Sequence, residues 1–132
     1  MKASTRATAS PSAVDVVAET GRLNVVLLQG RMAGFAEERA LPSGDVVATF
    51  RVVVERPKEY AGRQRVDVID CAAWTPRLRK QVATWQDGDV VAIEGALRRR
   101  FFRVAGRTLS RSEVEVDRGR RLSRPRRPRV SD

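Results

Sequence analysis

Alternation of apolar and polar residues dominates the middle of the chain and predicts β-strands. In residues 46–55 every even position is apolar, whereas the odd positions include Thr49 and Arg51. Successive side chains of a strand point to opposite faces, so this segment predicts a strand with one core face and one wetter face. Further strands are predicted, with turn residues between them, at residues 24–31, 65–74, 89–103 and 108–116.

The hydrophobic period changes once, between the third and fourth predicted strands. Thr75 and Pro76 are typical of an N-cap and a first helical position. Leu78, Val82 and Trp85 follow at the spacing of one helix face, so we expect Trp85 in the core. The predicted order is therefore β-β-β-α-β-β. That order is the connectivity of an OB-fold, an all-β, five-stranded Greek-key barrel with one helix between strands three and four.

Composition divides the chain into a folded domain with two tails. The 132 residues are enough for one domain. Residues 1–21 lack a clear period and predict a flexible N-terminal arm, and residues 22–116 carry all the predicted elements. Residues 117–132 contain seven arginines, two aspartates and two prolines, and predict a disordered basic tail.

Charge indicates the partner, and missing residue types argue against catalysis. The formal net charge of +10 favours a polyanion, most simply nucleic acid. The chain has no histidine, and its single cysteine, Cys71, has no partner for an internal disulfide. Glu94 lies alone in an apolar run without a second acid. We therefore expect no enzyme activity, no metal and no cofactor.

The N-terminus has no apolar segment typical of a secretory signal. No apolar run approaches the ~20 residues of a membrane span. These two patterns predict a cytoplasmic protein with no membrane partner. Because the charge favours nucleic acid, we expect a nucleoid-associated location and no small-molecule substrate.

The most informative stretch is residues 98–103, which are Arg-Arg-Arg-Phe-Phe-Arg at the end of an apolar run. In an extended chain Arg98, Arg100 and Phe102 share one face. Two cations and an aromatic ring in one row suit a flexible phosphate chain whose bases are free to stack. The alternative is a solvated basic strand end with one phenylalanine in the core.

Four segments of the folded part carry recognisable motifs. They are Asn-Val-Val-Leu-Leu-Gln-Gly-Arg at 24–31, Leu-Pro-Ser-Gly at 41–44 followed by Val-Ala-Thr-Phe at 47–50, Ile-Asp-Cys-Ala-Ala-Trp at 69–74, and residues 88–98. In this order and spacing they resemble the bacterial single-stranded DNA-binding protein family, over about residues 22–116. The resemblance implies an OB-fold that usually assembles as a homotetramer and coats single-stranded DNA without sequence preference, in replication, recombination or repair.

The resemblance also implies where this chain contacts nucleic acid. The family's base-stacking aromatic at the end of strand three matches Trp74. Its aromatic just beyond the basic part of strand four matches Phe102, with Arg98 and Arg100 on the same face. Its arginine before the Pro-Ser-Gly turn matches Arg39.

Acidic residues complicate this expected interface. Asp70 is predicted on the face of Trp74, where a carboxylate repels phosphate unless Arg51 or Arg98 pairs with it. Arg51 is therefore either a cation of the groove or the partner of Asp70, and we keep it among the predicted binding residues. A second stacking position of the family is Val68 here, which suggests fewer stacking platforms.

The C-terminal sequence departs most from the family. Members commonly end in an acidic tip that recruits other enzymes, whereas residues 124–132 are rich in arginine and proline. This difference predicts a specialised paralogue whose tail contacts phosphates. Two alternatives to DNA coating remain open: an OB-fold that binds RNA, or a primosome-like protein-interaction subunit with weak DNA binding.

Overall fold

Six strands and one helix make up the part of the chain that the computed structural model describes, residues 21, 23–60 and 62–125. The predicted N-terminal arm lies outside the described residues except for Gly21, as do residues 126–132 of the predicted tail. The elements are β1 (Val26–Met32), β2 (Glu37–Ala40), β3 (Val46–Glu55), a 3₁₀ turn (Lys58–Tyr60), β4 (Val66–Ala73), α1 (Pro76–Val82), β5 (Val90–Val104) and β6 (Arg107–Ser123).

Five of the strands close into a barrel. They pair in the order β1, β5, β6, β4, β3, and β3 returns to β1 through Met32 and Val52. Only the pairing of β4 with β6 is parallel. The closure depends on Gly30, where β1 leaves β5 for β3, because a Cβ there would collide with the carbonyl oxygen of Val53. This architecture confirms the predicted OB-fold.

The core forms on the side of β3 that the alternation predicts. Ala48, Phe50 and Val52 are all buried. The ring of Phe50 meets Trp85 edge-on, with 5.8 Å between ring centroids and an interplanar angle of 87°. Trp85 is only 2% exposed, so it belongs to the core as predicted.

The helix is shorter than its hydrophobic stripe. The Thr75 hydroxyl caps it by accepting a hydrogen bond from the Leu78 backbone N–H at 3.2 Å, as the sequence predicts. The helix ends at Val82, whereas the predicted stripe reaches Trp85. The chain turns there through a hydrogen bond from the Trp85 N–H to the Val82 carbonyl at 3.1 Å, and the Gly88 N–H then donates to the Met32 carbonyl at 2.9 Å, which ties this loop to β1. Trp85 is therefore buried from a loop rather than from the helix.

Strand β2 is not predicted by the sequence pattern. All four of its residues are exposed, and its sequence, Glu-Glu-Arg-Ala, shows no alternation of apolar and polar residues. It pairs with β3 through backbone hydrogen bonds, with Arg39 opposite Val47. The pattern misses such an edge strand because its side chains bury nothing.

Strand β6 corrects the prediction of a disordered tail from residue 117. The strand continues to Ser123, so the prediction is wrong for residues 117–123. A register shift beside Glu94 and Gly95 leaves an extra residue in β6, after which pairing resumes with Glu94 opposite Arg118. Backbone pairing with the apolar part of β5 orders a segment whose composition alone resembles disorder.

The β5–β6 hairpin positions the basic segment of the chain. Its two-residue turn is formed by Ala105 and Gly106, with φ of 51° and 80°, the positive values that tight hairpins need. The end of the hairpin, from Leu97 to Ser112, is mostly exposed. Residues 98–103 therefore lie on an ordered, solvent-exposed ribbon.

Candidate nucleic-acid interface

A groove of about 420 Å³ lies between β2, β3, the end of β4 and the outer part of the β5–β6 hairpin. It brings together four of the six predicted binding residues, Arg39, Trp74, Arg100 and Phe102, which come from distant parts of the sequence. The other lining residues are Leu41, Val47, Thr49, Ala72, Phe101, Arg111 and Glu113.

The floor of the groove is the odd face of β3 together with the even face of β4. Thr49 lies opposite Ala72 in the antiparallel register, so their side chains share a face. This is the wetter face that the alternation of β3 predicts. Trp74 follows on the same side of the chain directly after β4, and the guanidinium of Arg79 fixes its carbonyl oxygen at 2.7 Å.

Arg51 lies on this face but outside the groove lining. It is opposite Asp70 in the register, and its Nε lies 3.3 Å from Oδ1 of that residue. Of the two roles left open by the sequence, the structure places Arg51 as the partner of Asp70. The pair is partly exposed, so a phosphate can still reach the arginine.

Arg98, Arg100 and Phe102 occupy alternate positions of β5, and their opposite residues in β6 are Glu113, Arg111 and Leu109. Alternate residues of a strand share a face, so the three predicted residues form one row. The opposite residues of β6 lie on the same face. Arg98 lies outside the groove lining, and its Nε donates to Glu115 at 2.7 Å. This hydrogen bond raises the pKa of Arg98 above its ordinary value.

Arg100 lies inside the groove, between an acid and an aromatic ring. Its Nε donates to Glu113 Oε2 at 2.7 Å, and its guanidinium carbon lies 5.0 Å from the centroid of the Trp74 ring, over its face. The Glu113 side chain is only 13% exposed, so this carboxylate is the more buried member of the pair. The negative charge of Glu113 is thus paired with an arginine rather than exposed to solvent.

Two residues of the groove, Phe101 and Arg111, are not among the six predicted binding residues. Phe101 is 69% exposed, more than Phe102 at 37%. The guanidinium of Arg111 lies 5.7 Å from the centroid of the Phe102 ring. The sequence does contain the signal for Arg111, because a two-residue turn at 105–106 places residue 111 opposite residue 100.

Other chemistry has little support in the described residues. Across residues 23–60 and 62–125, no three His, Cys, Asp or Glu side chains are grouped so as to hold a metal ion. Burial raises the pKa of the Cys71 thiol to about 12, so this cysteine is not a reactive thiolate at neutral pH. Within the same ranges no helix is long and apolar enough to cross a membrane.

The fold and the groove define a class: a closed OB barrel that carries aromatic rings and arginines on one face. Sequence comparison places the chain within that class. Residues 23–122 match the profile of the single-strand binding protein family. The chain belongs to this family.

Individual relatives agree with this assignment. The chain is 31% identical over 97 residues to a single-stranded DNA-binding protein of Oceanobacillus iheyensis, covering 72% of this chain and 60% of the relative. It is 38% identical over 82 residues to single-stranded DNA-binding protein 1 of Streptococcus agalactiae, covering 61% and 50%. It is 29% identical over 97 residues to single-stranded DNA-binding protein A of Bacillus subtilis, covering 72% and 56%. The chain thus spans half to three fifths of the length of these relatives.

Proposed function

We propose that this protein binds single-stranded DNA without sequence preference and protects it, acting as a binding protein rather than as an enzyme. The observation that carries the proposal is the groove, where Trp74 and the exposed Phe102 lie beside Arg100 and Arg111. Aromatic rings and guanidinium planes stack bases of any identity, and arginines neutralise phosphates. The names of the bacterial relatives support the same ligand.

Single-stranded rather than duplex DNA fits the geometry, because bases must be unpaired to stack beside Trp74 or Phe102. The predicted contacts of Arg39, Arg51 and Arg98 with the phosphate backbone belong to this proposal. Arg39 lines the groove and is exposed, so it is the best placed of these three. A role in replication, recombination or repair, with a nucleoid-associated location, stays a prediction that accompanies DNA binding.

We also propose that the protein is a homo-oligomer, with a tetramer as the state that the family resemblance implies. The support is an exposed apolar row on β1 and the residues before it, formed by Leu23, Val25 and Leu27, with exposures of 58%, 52% and 71%. Leu97 is also exposed, and its backbone is held by both polar atoms of the Asn24 amide at 2.8 Å. A group of exposed apolar side chains favours association. Light scattering of the wild type and of Leu27→Glu tests this: a monomeric wild type contradicts it.

A second candidate function has support from the acids of the interface. Asp70, Glu113 and Glu115 each engage an arginine that was predicted to contact phosphate. Such pairing weakens phosphate binding and favours the alternative of a protein-interaction subunit with weak DNA binding. RNA binding is the other alternative. Competition between single-stranded DNA and RNA of equal length distinguishes it from DNA binding.

Titration of tryptophan fluorescence with oligo-dT at several salt concentrations tests the main proposal. Trp85 is buried, so a change on binding reports mainly on Trp74, and Trp74→Phe confirms the assignment. Quenching by the single strand but not by a duplex of equal length, weakening with salt, supports the proposal. Equal binding of duplex without quenching contradicts it and favours a general polyanion binder.

A further inference from the structure

Each aromatic ring that borders the groove has an arginine over its face. Arg100 lies 5.0 Å from the Trp74 centroid, Arg111 lies 5.7 Å from the Phe102 centroid, and Arg99 lies 6.0 Å from the Phe101 centroid. Distances up to about 6 Å are those of cation–π interactions. The pairs on Trp74 and Phe102 lie on the groove face of β5, whereas Arg99 and Phe101 occupy the alternate positions of that strand.

The rings of the groove are consequently not bare platforms. Trp74 has its indole Nε1 buried, without a hydrogen-bond partner among the described residues, so the polar edge of the ring points inward. The guanidinium of Arg100 covers the ring, and Glu113 holds that guanidinium through its Nε. A base that stacks on the face of Trp74 that Arg100 covers has to displace Arg100 and break its hydrogen bond to a carboxylate.

The two inner arginines are neighbours in the hairpin register but extend over different rings. Arg100 and Arg111 are directly opposite each other, a placement that is unfavourable for like charges. Each extends over a different ring, Arg100 over Trp74 and Arg111 over Phe102. The two guanidinium groups are thus separated and each is supported by an aromatic ring.

We propose that unpaired bases stack on the guanidinium planes of Arg100 and Arg111, with Trp74 and Phe102 as the supporting layer behind them. A guanidinium is planar and stacks on aromatic systems from either side, which an ammonium does not. The hydrogen bond to Glu113 uses Nε of Arg100, so the terminal nitrogens remain available to a phosphate. Glu113 acts as a positioning residue for Arg100. This inference rests on the proposed single-strand binding and names its contact surface.

Lysine substitution separates stacking from simple charge attraction, because lysine keeps the charge and loses the plane. Arg39 is the matched control: it lines the same groove, but none of the described cation–π pairs includes it. The experiment measures binding of Arg100→Lys, Arg100→Ala, Arg39→Lys and Arg39→Ala to oligo-dT and to an abasic oligomer of equal length. The abasic oligomer has the phosphates without the bases.

We expect Arg100→Lys to weaken oligo-dT binding about tenfold, nearly as much as Arg100→Ala, and to leave abasic binding almost unchanged. Because Arg39 is expected to contact phosphate alone, Arg39→Lys and Arg39→Ala should each change binding of the two oligomers by the same factor. Wild-type affinity of Arg100→Lys for oligo-dT, or equal losses on both oligomers, overturns the inference. Arg111→Lys repeats the test at the arginine over Phe102. If circular dichroism shows that Arg100→Lys melts at a lower temperature than the wild type, the result for Arg111→Lys decides the inference. A wild type that does not bind oligo-dT contradicts the proposed function itself.

Discussion

Arg124 and Asp89 form a bidentate ion pair, with Nε 2.9 Å from Oδ1 and Nη2 3.0 Å from Oδ2. The carboxylate is fully buried and also accepts a hydrogen bond from the Gln86 backbone N–H at 2.8 Å. The hydrogen bond from Arg124 is the largest effect on the pKa of Asp89, which is lowered despite burial. Arg124 therefore joins the end of β6 to the loop before β5.

Replacing this arginine should destabilise the fold in a pH-dependent way. We expect Arg124→Ala to lower the melting temperature at pH 7 by about 5 °C or more, because it leaves a buried carboxylate without its partner. The folded-state pKa of Asp89 is lowered, so its contribution is complete above the ordinary aspartate pKa of about 4. It disappears as the pH falls through the folded-state value.

Thermal melts of wild type and Arg124→Ala between pH 7 and pH 2 measure this difference. Arg120→Ala, which changes an exposed arginine near the end of β6, is the control and should melt like the wild type at every pH. A gap between wild type and Arg124→Ala that persists unchanged at the lowest pH contradicts the argument.

Gly119 should tolerate no side chain while Trp85 is present. A Cβ at Gly119 would lie 2.8 Å from Cη2 of the Trp85 ring. We expect Gly119→Ala to reduce the free energy of unfolding by about 1–3 kcal/mol, the usual cost of overpacking. Trp85→Phe removes the colliding atom, so the double variant should be more stable than the sum of the two single changes predicts. Denaturant unfolding of the four proteins checks this, and simple additivity contradicts the proposed contact.

The barrel was predictable because its strands obey simple alternation. The even positions of β3 and the cap at Thr75 need only local rules. Strand β2 and residues 117–123 did not follow from the sequence, because their order comes from backbone pairing with neighbours distant in the chain. Composition predicts disorder for the arginine-rich end of β6. In the structure Gly119 packs against Trp85, and this contact helps to hold that segment in place.

Two truncations should distinguish the contribution of the end of β6 from that of residues 126–132. Removing residues 126–132 takes away three arginines and none of the described ion pairs. We expect an unchanged melting temperature. The slope of log binding constant against log salt concentration for oligo-dT should become less steep by up to about 2, since each lost phosphate contact contributes ~0.7. Removing residues 117–132 also deletes paired strand and Arg124, so it should destabilise the domain. Melts and salt titrations of both variants test this; a domain that folds normally after the longer truncation contradicts it.

The candidate site was predictable residue by residue but not in its pairings. Family resemblance indicated Trp74 and Phe102, and alternation indicated the row of Arg98 and Arg100. The partners of these residues depend on cross-strand register, which places Glu113 and Arg111 in the groove. Periodicity within one segment contains no information on which acid of another strand meets a given arginine.

Glu113 should limit the affinity of the groove for phosphate. Glu113→Gln removes a negative charge, while its amide oxygen can still accept the hydrogen bond from Arg100. We expect oligo-dT to bind a few-fold more tightly at low salt, because phosphate no longer competes with a carboxylate for the arginine. The gain should shrink as salt is added, since screening weakens attraction between partly exposed charges.

Glu55→Gln is the matched control, because it changes the net charge equally but lies outside the groove lining, at the other end of β3. Fluorescence titrations of wild type and both variants across salt concentrations measure the effect. Equal tightening by the two variants would assign it to net charge alone. Weaker binding by Glu113→Gln would mean that the carboxylate's charge is needed to hold Arg100 over Trp74, and that its competition with phosphate is the smaller effect.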